Sequence, residues 1–349
     1  MVKECGIAGK KYRLLRTIGR GGVSMVYLGE ALSDGKRYAI KEINVMNAGG
    51  SPKSGPGAGQ KQNTEREQKA GPWRNTQREQ KAGPWRNMEQ ERNAGQEQKM
   101  ERERNAGEKR NPRRKKGDVR GAKQNAREGM WMEIRMQQKL HHPALPHIWE
   151  AFEEGGKVYI VMDYVEGIPL DELLRKEGAR PLEQALDWGL QLCRALLYLH
   201  SFQPPVIYRD MKPANVILRG DGRLVLLDFG AARQYRARKR RDTIPLGTPG
   251  YAAPEQYRGR QSDIRTDIYC LGVTLYHILT GHDPGEPPYR ICGIREWNRA
   301  LPPGLDHVIK KCTAEQPWRR YRNCEEVIKA LENCRERKGS KIRNFRFFG

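Results

Sequence analysis

Polar side chains crowd the stretch YRDMKPAN, residues 208 to 215. Asp210 in this stretch can accept the proton of a hydroxyl group. Thirteen residues after Asn215, Asp228 ends the apolar run in LLDFGAA. Asn215 and Asp228 offer the hard oxygen ligands that magnesium takes, with phosphate oxygens completing its shell. The pattern predicts a site for a metal ion beside a hydroxyl group.

A glycine turn and a lysine upstream supply what a phosphate would need. The turn GRGGVSMV, from Gly19 to Val26, is a weak signal alone, because glycine turns between strands are common. Lys41 follows fifteen residues after Val26 on a predicted strand, where an inward ammonium group requires an anionic partner. Together they favour a polyphosphate ligand. Glu133, on the next predicted helix, could pair with Lys41.

The elements that must position these residues fall into two parts. Residues 12 to 44 alternate as three short antiparallel strands, and residues 144 to 167 as two more around a GG turn. WMEIRMQQKLHHP has helical spacing, and helical patterns predominate from Leu170 onward. A strand-rich lobe therefore precedes a helix-rich lobe. The apolar run at 268 to 281 is too short for a membrane span and indicates a buried core helix.

Residues 47 to 128 differ in composition and contain almost no aliphatic side chains. REQKAGPWRN occurs at 66–75 and 78–87, which gives a period of 12 residues. This unit is too short and too polar for a stacked array, so we interpret it as a disordered tandem expansion. Residues 49–128 hold 21 basic and 11 acidic residues, about +10 of the chain's net charge of +23.

The seven cysteines form no CxxC pair, and the N-terminus shows no signal-peptide pattern. We expect reduced thiols and a cytoplasmic location. The tail, residues 337 to 349, is basic and aromatic. It could lie next to a membrane or be a frayed, solvated end.

The motifs occur in the order of the protein kinase superfamily, which this chain resembles. The matches are the AIK lysine (Lys41), the helix glutamate (Glu133), the YRDxKPxN loop, DFG at 228–230, APE at 253–255, and a GxGxxSxV loop with Gly19, Gly21, Ser24 and Val26. Asp267 and Arg320 match the family's buried aspartate and the arginine that pairs with the APE glutamate, Glu255. The chain is most similar to the eukaryotic-type serine/threonine kinases of bacteria, and Lys212 follows the serine/threonine pattern.

The resemblance implies a bilobal α+β fold. The N-lobe, 12–165, would contain a small antiparallel sheet with one main helix, and the larger C-lobe, 166–336, would be helical. The insert at 47–128 would separate the third strand from the Glu133 helix, and 337–349 would be the tail.

The resemblance also implies ATP and Mg²⁺ as ligands, with Mn²⁺ as an alternative ion, and protein serine or threonine hydroxyls as substrates. Asn215 and Asp228 would hold the metal, Asp210 would orient the hydroxyl, and Lys212 would stabilise charge on the transferring phosphoryl group. The Gly19–Ser24 amides and Lys41 would bind the phosphates. The adenine would contact a further set: Val26, Ala39, Ile217, the gatekeeper Met162, and the segment Asp163 to Val165.

Three positions depart from the family pattern: Ser24 replaces a loop glycine, Tyr208 a histidine, and Gln137 an apolar residue of the spine between the lobes. We expect Gln137 to weaken the active arrangement. A phosphate on Thr243 could pair with Arg209 and order the loop around it, giving an autophosphorylation site. Thr248 is expected in the substrate-binding floor.

Two alternatives stay open at this stage. The chain could be a catalytically impaired scaffold with a kinase fold, although the motif residues are present. The basic insert could bind nucleic acid or an anionic surface, with Trp73 and Trp85 stacking on bases. Its interspersed acidic residues favour a solvated coil instead. The oligomeric state leaves no trace in the sequence.

Overall fold

A computed structural model describes residues 6–8, 11–20, 24–44, 119–229, 232–235, 247–287 and 290–345. The chain divides into one compact unit of residues 1–48 with 127–349 and a second of residues 49–126. Of the second unit, residues 119–126 are described, as the first turns of a helix. The predictions for Gly21, Thr243 and the tandem repeat lie outside the described residues.

The N-lobe is an antiparallel sheet with the strand order β1-β2-β3-β4-β6-β5. Its strands are β1 Gly6–Ala8, β2 Tyr12–Arg20, β3 Ser24–Ala31, β4 Arg37–Asn44, β5 Ile148–Glu154 and β6 Lys157–Asp163. Helix α1, Val119–Gln137, precedes β5 in the chain and buries Ile134 in a cluster with residues of β5 and β6. The strands predicted from alternation are therefore present, and β1 is an additional one paired with β2.

Helix α1 begins earlier than the sequence indicated. We placed the end of the insert at 128, whereas the helix starts at Val119. Residues 119–128 are polar and charged, and they lack the apolar spacing that marks a helix buried against a core. The boundary of the insert therefore differs from the structure by about ten residues.

The C-lobe is built from helices with two small sheets. Its elements are β7 Ile168–Pro169, α2 Leu170–Glu177, α3 Leu182–His200, β8 Val206–Ile207, β9 Val216–Leu218, β10 Leu224–Leu226, β11 Arg233–Gln234, α4 Pro254–Tyr257, α5 Ile264–Thr280, α6 Ile294–Trp297, α7 Pro303–Cys312 and α8 Cys324–Phe345, with 3₁₀ turns at Pro213–Asn215 and Pro317–Arg319. β9 pairs with β7 and β10, and β8 with β11. The helical patterns of the sequence correspond to α2, α3, α5 and α8. No described helix is both long and apolar enough to cross a membrane.

Helix α5 is the central element of the C-lobe. The carboxylate of Asp263 accepts a hydrogen bond from Arg265 N at 2.8 Å and caps its N-terminus, and Gly281 ends it with a left-handed φ of 70°. Residues from Thr266 to Leu279 are buried, with Tyr269 as the one partial exception. The run at 268–281 is thus a buried core helix, as predicted.

Helices α5 and α7 approach closely at Gly272. A Cβ atom placed on Gly272 would lie 2.5 Å from Cys312 Cβ and 3.0 Å from Thr313 Cγ2. Contacts this short require a backbone shift, because neither neighbouring atom is the end of a flexible side chain. The absence of a side chain at Gly272 therefore sets the distance between the two helices.

We predict that Gly272→Ala destabilises the chain by about 1–3 kcal/mol, the usual cost of overpacking a core. Gly129→Ala in α1 is the matched control, because a Cβ atom there has no neighbour within 4 Å. Alanine at Gly129 should be neutral or stabilise by up to about 1 kcal/mol, since glycine is costly inside a helix. Urea denaturation measures both. Equal free energies of unfolding for the two variants would contradict the close approach.

Candidate active site

The residues of YRDMKPAN begin on a backbone held by a buried carboxylate. Asp267 of α5 has no exposed surface, and its carboxylate oxygens accept hydrogen bonds from Tyr208 N at 2.8 Å and Arg209 N at 2.7 Å. His200 Nε2, at the end of α3, lies 2.8 Å from the same carboxylate. Arg209 has a left-handed φ of 71°, which is costly for a residue with a Cβ atom. The two amide contacts hold the loop in this conformation.

Asp210 follows this strained residue and is enclosed by polar partners. Asn215 Nδ2 donates to Asp210 Oδ2 at 2.9 Å and to its backbone carbonyl at 2.8 Å. Lys212 Nζ lies 3.1 Å from Asp210 Oδ2. The structure therefore brings Asp210, Lys212 and Asn215 together, as the resemblance to the protein kinase superfamily implied.

Thr248 contributes a contact that the sequence analysis did not assign. Its hydroxyl donates to Asp210 Oδ1 at 2.9 Å and accepts from Lys212 Nζ at 2.5 Å. The hydroxyl thus links the carboxylate and the ammonium group from a segment 38 residues away in sequence. The sequence analysis expected Thr248 in the substrate-binding floor. It did not predict that the Thr248 hydroxyl lies within hydrogen-bond distance of Asp210.

Lys41 and Asp228 form an ion pair between the lobes. Lys41 lies on β4 with its side chain 14% exposed, and its ammonium group contacts Asp228 Oδ1. The sequence analysis paired Lys41 with Glu133, whereas the carboxylate in contact with Lys41 in the structure is that of Asp228. Glu133 is half-buried on α1.

The backbone around Asp228 is fixed from both sides. Before it, the carbonyl of Leu227 accepts a hydrogen bond from the Tyr208 hydroxyl, and Leu227 N donates to Asn215 O at 2.8 Å. After it, the carbonyl of Phe229 accepts a hydrogen bond from Gln137 Nε2 of α1 at 3.0 Å. The polar Gln137 therefore contacts the same segment that an apolar spine residue would have reached. Asp228 itself has a left-handed φ of 50°.

The two departures at Tyr208 and Gln137 are thus both accommodated by hydrogen bonds. The Tyr208 ring also meets Phe229 edge to face, with centroids 5.5 Å apart. Burial raises the pKa of the Tyr208 phenol well above its usual value, so its hydroxyl stays protonated and acts as a donor. Tyr208 is therefore a structural element of the loop and not an acid or base.

Asn215 and Asp228 fit a divalent metal in their donor chemistry. Because the Asn215 amide nitrogen is committed to Asp210, its carbonyl oxygen is the atom available as a ligand. Asp228 adds a carboxylate, which is paired with the Lys41 ammonium group in the structure. Among the described residues no cluster of three or more His, Cys, Asp or Glu side chains could hold a metal on its own. Two protein oxygens plus phosphate oxygens is the arrangement that magnesium takes.

The candidate adenine contacts line the start of the C-lobe and the sheet. Ala39 and Ile217 are 8% and 7% exposed, and Ala39 lies opposite Met162 in the β4–β6 register. Val26 is half-buried on β3, directly opposite Lys41. The segment from Asp163 to Val165 follows β6 and is half-buried. Gly19 lies on β2 and pairs with Val26 of β3.

Glu255 and Arg320 lie in contact, as the sequence analysis paired them. Arg320 Nη1 and Nη2 donate to the two Glu255 oxygens at 2.7 and 2.8 Å, and both residues are buried. Thr266 adds a hydrogen bond to Glu255 at 2.8 Å. Gln256, next in the chain, donates to the Arg209 carbonyl at 2.9 Å. This ion pair therefore anchors helix α4 beside the strained turn of the YRDMKPAN loop, residues 208–215.

Buried cysteines surround the same region without offering a nucleophile. Cys324 Sγ lies 3.7 Å from His200 Nδ1, on the side of the ring opposite Asp267. Burial raises the pKa of the Cys324, Cys193 and Cys270 thiols well above the usual value. A thiol that does not ionise is a poor nucleophile, so these residues are core side chains.

Residues 95–334, well over half of the 349, match the sequence model of the family described as "Protein kinase domain". The chain therefore belongs to the protein kinase family, which in general uses ATP and a divalent metal. Gly19 and Lys41 lie outside the matched range. The fold agrees: the crystal structure of the PknI kinase domain of Mycobacterium tuberculosis superposes with a TM-score of 0.59 at 22% identity, covering 94% of this chain and 98% of that one.

Two curated relatives are similar in sequence. The serine/threonine-protein kinase PknB of Mycobacterium leprae is 33% identical over an alignment of 205 residues that covers 54% of this chain and 33% of that protein. The serine/threonine-protein kinase PrkC of Bacillus subtilis is 32% identical over an alignment of 207 residues that covers 56% of this chain and 32% of that protein. The aligned part thus spans about a third of the length of these relatives.

We predict that Thr248→Val lowers the rate of phosphoryl transfer about tenfold to hundredfold, because Asp210 and Lys212 both lose the hydroxyl that joins them. The KM for ATP should change little. Thr280→Val is the control. The Thr280 hydroxyl donates to the Tyr276 carbonyl at 2.7 Å and accepts from His282 N at 3.1 Å, and neither partner belongs to the candidate site. Steady-state kinetics measures both, and equal kcat values for the two variants would contradict the role of Thr248.

Proposed function

We propose that this chain is a serine/threonine protein kinase that transfers the γ-phosphate of ATP, with Mg²⁺, to hydroxyl groups of proteins. The observation that carries the proposal is the environment of Asp210, which is held by Asn215, Lys212 and Thr248 within hydrogen-bond distance. This arrangement leaves a carboxylate fixed in place to orient a hydroxyl.

The side chains have distinct tasks in this reaction. Asp210 accepts the hydrogen bond of the attacking hydroxyl and takes its proton as the new bond forms. Lys212, 3.1 Å from Asp210, places a positive charge beside the group that is transferred. Lys41 provides a second ammonium group from β4 for the phosphates. Asn215 and Asp228 would hold Mg²⁺, and the bound ion would neutralise charge on the phosphates.

Lys212 favours serine and threonine over tyrosine as substrates. The ammonium group lies directly beside Asp210 and contacts Thr248, so it narrows the approach to the carboxylate. A short aliphatic hydroxyl is compatible with that narrow approach. PknB and PrkC, the two relatives described above, are named serine/threonine-protein kinases, which agrees with this specificity. Autophosphorylation at Thr243 is part of the proposal and concerns a residue outside the described ones.

A catalytically impaired scaffold is the second candidate. The observation in its favour is the contact of Lys41 with Asp228. In an active kinase the metal would need the Asp228 carboxylate and the phosphates would need the Lys41 ammonium group, and this ion pair occupies both. The intact arrangement around Asp210 favours the kinase. The protein kinase family acts on protein substrates. A scaffold with this fold would bind such proteins and transfer no phosphate to them.

We predict that Asp210→Asn lowers kcat about 10²–10⁴-fold while the chain still binds ATP, because a neutral amide cannot take the proton. Transfer of labelled γ-phosphate from Mg-ATP to a generic basic protein and to the chain itself measures the rate. A second variant, in which a short glycine–serine linker replaces residues 49–118, should keep its activity within about threefold, since closure entropy changes slowly with loop length.

The three chains distinguish the two candidate functions. Activity that is lost only in Asp210→Asn supports the kinase. A wild-type chain that binds ATP and transfers no phosphate, with or without residues 49–118, would favour the scaffold. Recovery of activity on replacing residues 49–118 would show that the insert inhibits transfer.

A further inference from the structure

Strand β5 carries a β-bulge next to the segment that is to contact adenine. Ile148 lies opposite Met162 and Glu150 lies opposite Val161, so Trp149 is the extra residue between them. A bulge redirects the side chain of the extra residue, and bulges are common beside active sites. The Trp149 side chain therefore departs from the regular alternation of side chains along β5, next to the residue that pairs with the candidate gatekeeper Met162.

The redirected indole contacts Asp163, the first residue of the candidate adenine-binding segment. Trp149 Nε1 donates to Asp163 Oδ1 at 2.8 Å, and His147 N donates to Asp163 Oδ2 at 3.0 Å. In return, Asp163 N donates to His147 O at 3.0 Å. Three hydrogen bonds thus fix the backbone and the carboxylate of Asp163 to the start of β5.

Core packing does not explain why a tryptophan stands at this position. Trp149 is 50% exposed, one of the more exposed large apolar residues of the described chain. Its ring faces the Lys36 ammonium group at 4.7 Å and meets Tyr38 and His147 edge to face. Phenylalanine could make these ring contacts as well. The property that only tryptophan brings to this arrangement is the N–H group directed at Asp163.

We propose that Trp149 is a positioning residue for the adenine base and acts through the Asp163 carboxylate. This inference rests on the proposed kinase function, because it deepens the description of the ATP site. Asp163 cannot rotate without breaking contacts to both Trp149 and His147. The peptide groups from Asp163 to Val165 are thereby held in one orientation before a base binds, and preorganisation of this kind lowers the free-energy cost of binding.

The effect should fall on nucleotide affinity and leave the chemical step unchanged. Trp149 is on the outer edge of the N-lobe sheet, and none of its hydrogen bonds or ring contacts involves Asp210, Lys212 or Lys41. A lost hydrogen bond to a partly exposed carboxylate corresponds to roughly a threefold to tenfold weaker affinity.

The test compares Trp149→Phe with Trp318→Phe in the full chain. Phenylalanine keeps the ring over Lys36 and removes the N–H group, and Trp318 is 69% exposed in a 3₁₀ turn of the C-lobe. Calorimetry gives Kd for a non-hydrolysable ATP analogue, and kinetics gives KM for ATP, kcat, and the inhibition constant of inorganic tripolyphosphate. Tripolyphosphate presents phosphates without a base, so it reports the phosphate half of the site alone.

We expect Trp149→Phe to raise Kd and KM about threefold to tenfold, with kcat and the tripolyphosphate constant within about twofold of wild type. Trp318→Phe should match wild type in all four. Asp163→Asn should shift Kd and KM in the same direction, because its amide nitrogen would face one of the two N–H donors. This second variant decides the question if Trp149→Phe does not fold.

Three results would overturn the inference. An unchanged Kd in Trp149→Phe would remove the role of the N–H group. A parallel loss of ATP and tripolyphosphate affinity with a lower Tm would show a general loosening of the N-lobe. A wild-type chain that binds no ATP analogue would overturn the proposed function itself, whereas the first two results leave that function standing.

Discussion

The Asp267 carboxylate supports the YRDMKPAN loop, residues 208–215, from inside the C-lobe. It is fully buried and accepts hydrogen bonds from two consecutive amides, and His200 Nε2 contacts the oxygen that accepts from Tyr208 N. A carboxylate is costly to bury unless its oxygens are satisfied, and these partners offset that cost. The same contacts hold the left-handed turn at Arg209. Helices α3 and α5 and the loop are consequently one rigid structure, and Asp210 projects from it.

The loop supported by Asp267 makes further hydrogen bonds on two sides. Toward the substrate side, Asp210 is joined to Thr248, and the Arg209 carbonyl is joined to Gln256 beside the buried Glu255–Arg320 ion pair. Toward the N-lobe, the hydroxyl of Tyr208 contacts Leu227, so the residue before Asp228 is set by the same loop. Asp210 and the residue before Asp228 are thus both linked, through the loop at 208–215, to the buried helix α5.

Much of this arrangement could be predicted from sequence, because the motif residues carry their chemistry in short, ordered stretches. The lobes, the helices α2, α3, α5 and α8, and the grouping of Asp210, Lys212 and Asn215 follow from local patterns. The distant pair of Glu255 and Arg320 followed from the family resemblance, but three other contacts between distant segments did not: Thr248 contacts Asp210, Gln137 contacts Phe229, and Lys41 contacts Asp228 in place of Glu133. Hydrogen-bonding partners at such separations depend on tertiary geometry, which spacing along the chain does not specify.

The contact between Lys41 and Asp228 also bears on the charges of the proposed reaction, because the counter-ion of Asp228 is a side chain of the opposite lobe. A divalent ion bound by Asp228 would replace the Lys41 ammonium group as the counter-ion of this carboxylate. The ammonium group would then need another anion, and the phosphates of ATP would provide it. In the proposed reaction, metal and nucleotide binding would for this reason be electrostatically linked, since each would supply the partner that the other removes.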